Sequence, residues 1–317
     1  MNDVSTLGMF GAIFPIYGLI AMGWFARKLS WIKPEADSSI VKIAVELTLP
    51  CFILSNLLDN KRLESVEFSL MTIFLGSMGI LISLCCAWVA GWLVGLRLGN
   101  GLRTFVVTVG AQNYGFFLIA LVAILFANGG GDMMGILITH NVGCDLIYWS
   151  LGFLLISNAK KVSFAFLSRG PVWSVFLALI LVWTGLSHYI PDFVKTLLKF
   201  AGGIAVPLNL MIFGTLLYDM LEREKFSIKI LSVAVAMRMF ILPACFIISA
   251  WLLPIDHTLK ILLMLQALSP CGVMSAVLAK HFGGHPKIAV YITLLTCIVA
   301  IFTLPLWLNI GISLIGK

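Results

Sequence analysis

The sequence predicts an all-α integral membrane protein with ten transmembrane helices, arranged as two inverted repeats of five. Three observations predict it. Of 317 residues, 61% are hydrophobic and only 11% are charged, whereas soluble domains carry about 25% charge. The apolar runs are long rather than alternating over short segments, which makes them helices and not barrel strands. Two pairs of helix-breaking landmarks recur at one separation: Pro50 with Pro207, and Gly115 with Gly272, each 157 residues apart.

The spans fall at roughly 8–26, 38–58, 68–96, 104–127, 133–157, 172–190, 197–220, 229–253, 259–279 and 287–313. The N-terminal "MNDVSTLGMF" has no Lys or Arg before its apolar run, so the first span is expected to stay in the mature protein. The net charge of +7 reflects basic residues at span ends and in short loops. That pattern reports topology and excludes a nucleic-acid partner. The loops after the odd-numbered spans hold 13 Lys and Arg, the other side holds six, and Lys42 and Arg238 lie within spans. The positive-inside bias therefore puts both termini outside the cytoplasm.

Five spans is an odd number, so the second half must enter the membrane upside down relative to the first. The expected division is residues 1–157, a cytoplasmic linker at 158–171, and residues 172–317. Spans 2 ("IAVELTLPCFILSNLL") and 7 ("GIAVPLNLMIFGTLL") carry the prolines. Spans 4 ("GAQNYGFFLIALVAILFANGGGD") and 9 ("ALSPCGVMSAVLAKHFGGHP") are broken in mid-membrane. Gly91, Gly95 and Gly99, at the end of span 3, form a GxxxGxxxG pattern that permits close helix packing.

Non-helical backbone at membrane depth needs protein or a wet cavity around it. Paired breaks in two repeats point to a substrate site, because each exposes a half-helix N-terminus that favours an anion. The candidate binding residues are Gln112, Asn113, Tyr114 and Gly115 on one side, and Ser269, Pro270, Cys271 and Gly272 on the other. Asn141 and Tyr148 in span 5 are lining candidates, with Trp149 either lining or an interface anchor. Charges inside spans are functional candidates by default. Glu46 or Asp145 is expected to be a proton or cation site. Arg238 is either a counter-ion to a carboxylate or the partner of Asp145 in a buried ion pair. His140, Cys144 and Asp145 share one helix without a fourth ligand, so no metal site is expected. The seven Cys are scattered without a CxxC pair and read as packing residues. No GxxxxGK[ST], HExxH or GxSxG occurs, so neither ATP as a driver nor soluble-type catalysis is supported, and no enzyme and no cofactor are expected.

With those residues in place, the sequence resembles the auxin efflux carrier family, which includes plant PIN proteins and bacterial malate and malonate permease-like members. "QALSPCGVMSAVLAKHFGGHPKI" is similar to the family's second crossover, and "NYGFFLIALVAILFANGG" to its first, with Asn113 at the family's asparagine. "ELTLPCFILSNLL" and "RMFILPA" resemble its spans 2 and 8. The resemblance implies the inverted-repeat fold of the PIN, NhaA and bile-acid-transporter type. Spans 1, 2, 6 and 7 would be the scaffold, and spans 3–5 with 8–10 the mobile transport unit of a homodimer. Plant members generally have Pro in the first crossover and many carry a long cytoplasmic loop. Here "GAQNYG" has no Pro and the loop is short, which points to a bacterial inner-membrane protein. The expected function is secondary transport of a small organic anion by elevator-type alternating access, with proton or Na⁺ coupling open. The anion would be a malonate- or malate-like acid or an auxin-like aromatic monocarboxylate. An anion channel or a membrane-embedded carboxylate sensor is the alternative.

Overall fold

A computed structural model describes residues 6–126, 131–157, 169–220 and 227–315. Residues 158–168 of the expected linker, and most of the glycine-rich turn after span 4, lie outside the described residues. Regular structure within them is helical, with isolated β-bridges as the exception. In chain order the helices are α1 (Thr6–Lys28), α2 (Pro34–Leu57), α3 (Val66–Leu93), α4 (Leu102–Gly110), α5 (Tyr114–Leu125) and α6 (131–157). They continue with α7 (Gly170–Trp183), α8 (Asp192–Met220), α9 (Ile228–Leu252), α10 (His257–Ala267), α11 (Met274–His281) and α12 (Pro286–Ile315).

Each expected span lies on a helix or, for spans 4 and 9, on two half-helices. Among the described residues, five helices, α2, α3, α8, α9 and α12, are long and apolar enough to cross a membrane. Their outer faces carry exposed Leu47, Phe74, Trp92, Phe200, Trp251 and Phe302. So much exposed apolar surface suits a hydrocarbon solvent and not water.

The helices are irregular where the sequence requires it. Proline has no N–H and its ring crowds the carbonyl four residues back. α2 widens into a π-turn at Ala44–Thr48 just before Pro50, and α9 does so at Met237–Ile241 before Pro243. The carbonyl that Pro243 leaves free is that of Met239, and the Trp307 indole N–H donates to it at 2.7 Å. In α8 the helix is interrupted at Ile204, and Pro207 sits in the first turn of the resumed stretch.

Glycines set the closest crossings. A Cβ on Gly23 or Gly214 would overlap the backbone of α8 or α1 respectively, and one on Gly76 or Gly143 would overlap that of α6 or α3. The GxxxGxxxG pattern is only partly a packing device. Gly91 packs against Leu102 and Phe105, but Gly95 and Gly99 lie beyond the end of α3. Their φ values of +98° and +84° make them turn residues.

Overpacking a tight backbone crossing costs typically about 1–3 kcal/mol. Gly214→Ala is therefore expected to lower the melting temperature in detergent by several degrees. Gly18→Ala, whose Cβ meets nothing within 4 Å, should leave it unchanged.

Candidate functional site

The breaks between α4 and α5 and between α10 and α11 lie against each other. Ala111 is extended (φ −95°, ψ 108°), and Gln112 forms an antiparallel bridge with Cys271. The Asn113 N–H donates to Pro270 O at 2.8 Å, and the Gly272 N–H donates to Ala111 O at 3.3 Å. The Cys271 N–H donates to Thr296 Oγ1 at 3.2 Å, and Thr293 Oγ1 donates to Gly272 O at 3.2 Å. Asn113 Oδ1 accepts from the N–H groups of Phe116 and Phe117, both at 3.3 Å, and so caps α5. Backbone groups freed by the breaks are thus paired within protein, as hydrocarbon surroundings demand.

Arg238 completes the junction. Its side chain is fully buried. Nε donates to Ser269 O at 2.9 Å, Nη2 to Gln266 O at 3.2 Å and Nη1 to Gln112 Oε1 at 3.3 Å. A cation on the last carbonyls of α10 also suits the negative end of that helix. The ion pair with Asp145 weighed above does not form. Among the described residues Arg238 has no carboxylate partner.

Beside the junction is a cavity of about 220 Å³. One wall is Gln112, Asn113, Tyr114, Gly115 and Gly272, and a second is Asn141, Asp145, Tyr148 and Trp149 from α6. The third is apolar, from Leu49 and Ile53 of α2 and Val172, Val175 and Phe176 of α7. Asn141 Nδ2 donates to Tyr114 O at 3.2 Å, and Tyr114 Oη donates to Asp145 Oδ1 at 2.6 Å. Among the described residues that line the cavity, three buried polar atoms have no partner: Gln112 Nε2, Asn113 Nδ2 and Tyr148 Oη.

The orientation of the two amides follows from their neighbours. Arg238 can only donate, so Gln112 must turn its oxygen to it. The backbone N–H groups of Phe116 and Phe117 likewise claim Asn113 Oδ1. In each case the remaining group is an NH₂. Both NH₂ groups belong to residues of the cavity wall and are themselves buried, and a buried donor without an acceptor is costly.

Eight expected site residues line the cavity: Gln112, Asn113, Tyr114, Gly115, Asn141, Asp145, Tyr148 and Gly272. Ser269, Pro270 and Cys271 lie behind the junction and outside the lining. Glu46 is exposed outside the cavity, and its carboxylate accepts from the Gly170 N–H at 3.0 Å, at the start of α7. Neither Pro50 nor Pro207 lines the cavity. His140 and Cys144 are neighbours, with His140 also against Gln266, while Asp145 faces Tyr114. Sequence reasoning missed Arg169, which lines the cavity with its guanidinium 5.2 Å from the Trp149 ring centre. The available signal was its place immediately before the Gly170–Pro171 helix start.

A family model described as membrane transport protein matches the chain in two parts, residues 9–169 and 159–308. The chain belongs to this family, that of the auxin efflux carriers. This membrane transport protein matches no curated protein. Membership makes it a multi-pass membrane protein of a transporter kind.

The transport protein's junction should depend on Arg238. A hydrogen bond to a charged group contributes about 1.5–3 kcal/mol. Arg238→Met is expected to lose three of them and to melt far lower in detergent. Arg238→Lys, with charge but no fork, should fall between that variant and wild type.

Proposed function

We propose that this membrane transport protein is a secondary active transporter of small organic anions. The observation that carries the reading is that three residues lining one cavity, Gln112, Asn113 and Tyr148, each hold a buried donor without a partner: Nε2, Nδ2 and Oη. An anion supplies acceptors to all three. Apolar and aromatic walls suit a small body behind the carboxylate. That fits a malonate- or malate-like acid, or an aromatic monocarboxylate.

The mechanism is alternating access, with ten crossings in two inverted halves, 1–157 and 172–317. The antiparallel contact of the two breaks supports the inversion. α1, α2, α7 and α8 are the scaffold, and α3–α6 with α9–α12 are the unit that moves. The cavity supports this division, since its donors come from one group and its α2 and α7 wall from the other. The protein would work as a homodimer in an inner or plasma membrane with both termini outside, as the Lys and Arg distribution favours.

Uptake of labelled malonate, malate and indole-3-acetate into proteoliposomes, under imposed pH or Na⁺ gradients, tests the reading. Saturable uptake of at least one acid is expected, and no uptake or binding of any would reject it. Asn113→Asp keeps the cap of α5 but replaces the free NH₂ by an acceptor. It should weaken acid binding by about tenfold or more. Tyr148→Phe should weaken binding by a similar factor, measured by titration of the purified protein.

A further inference from the structure

The residues lining the cavity include two that carry charge, Asp145 and Arg169, and among the described residues no others do. Asp145 is half-buried and accepts from Tyr114 Oη at 2.6 Å. Trp149 lies close beside it, and Arg169 lies within its electrostatic reach. Tyr148 and Cys144, from its own helix, complete the titratable groups around it. The facing walls from α2 and α7 add only apolar side chains, such as Leu49, Val172 and Phe176. Arg169 sits at the mouth, at the start of α7, and its guanidinium stacks on Trp149. Asp145 and Arg169 line the same cavity, and among the described residues no ion pair joins them.

From this geometry we infer that Asp145 is the proton-coupling site of the transporter, and that Arg169 is the cation which Asp145 and the transported anion share. The inference rests on the anion reading above. With Asp145 ionised, the two lining charges cancel. A singly charged anion entering then leaves one net negative charge in a largely apolar enclosure, which is costly. A proton on Asp145 removes that excess. Arg169 then faces the anion, whose carboxylate takes the donors of Gln112, Asn113 and Tyr148. One proton and one monoanion thus move together, and the loaded cavity has the same net charge as the empty one. Glu46, outside the cavity and engaged at the start of α7, takes no part.

Anion and proton binding must then favour each other by the same factor. Affinity should rise as pH falls, by up to about tenfold per pH unit, until Asp145 is protonated in the free protein. Malonate, malate and indole-3-acetate are titrated into the purified protein between about pH 5 and pH 8. Proton uptake on mixing is read with a dye in weak buffer near neutrality, where these acids are ionised. Wild type should take up about one proton per indole-3-acetate bound at the upper end of this range, and about two per malonate or malate, which are dianions there. Asp145→Asn, an uncharged isostere, should hold the wild type's low-pH affinity for indole-3-acetate throughout. Its profile also subtracts the ligands' own titration. Arg169→Gln should weaken binding more than about tenfold at low pH. Binding without proton uptake in wild type, or a wild-type pH slope in Asp145→Asn, would overturn the coupling role and leave the anion site standing. Failure of all three acids to bind wild type at any pH would instead remove the anion reading itself, and this inference with it. If Asp145→Asn does not fold, the proton count on wild type decides.

Discussion

The structure depends on one constraint: two helices are broken where no water can satisfy their backbone. The solution is mutual. Asn113 N–H and Ala111 O of one break pair with Pro270 O and Gly272 N–H of the other. Arg238 then donates to Ser269 O, and to Gln266 O, which also accepts from the Ser269 N–H at 3.4 Å. A buried guanidinium is expensive unless its donors are used, and here backbone carbonyls use them. The charge therefore serves the fold first, and reaches the cavity only through Gln112.

That indirect reach shapes the site. Arg238 holds the Gln112 oxygen, and the first turn of α5 holds the Asn113 oxygen. Each amide is left with only its NH₂ to offer. The polarity of this part of the cavity is thus a by-product of stabilising the breaks. Tyr148 adds a third donor from α6. A site assembled this way is stiff, because turning either amide around would break a bond that the junction needs. The α2 and α7 wall has no such ties to the junction and supplies mainly apolar surface.

Much of this was legible in the sequence. Helix-breaking residues in long apolar runs gave the positions of both breaks, and the shared separation of 157 residues paired them. Asn113 and Gly272 followed directly. The role of Arg238 was not legible, because its partners are mostly backbone carbonyls, 28 and 31 residues away, and an amide 126 residues away. A buried arginine suggests a carboxylate partner, and the pair with Asp145 does not form among the described residues. Ser269 and Cys271 looked available because they sit in the break, yet the junction turns them inward. Arg169 looked like a loop charge, and only the packing of α7 against α6 brings it to the cavity mouth. The glycines after α3 shared a spacing with packing motifs, but positive φ and not close approach explains two of them.

The central claim is that three donors, oriented by the junction, await an acidic group. The most direct test is a structure of the protein with malonate or indole-3-acetate bound. The account predicts a carboxylate oxygen within about 3.2 Å of Asn113 Nδ2 and of Gln112 Nε2 or Tyr148 Oη, with Arg238 still on Ser269 O and Gln266 O. A cation at that position, or an acid bound elsewhere with the three donors untouched, would contradict it.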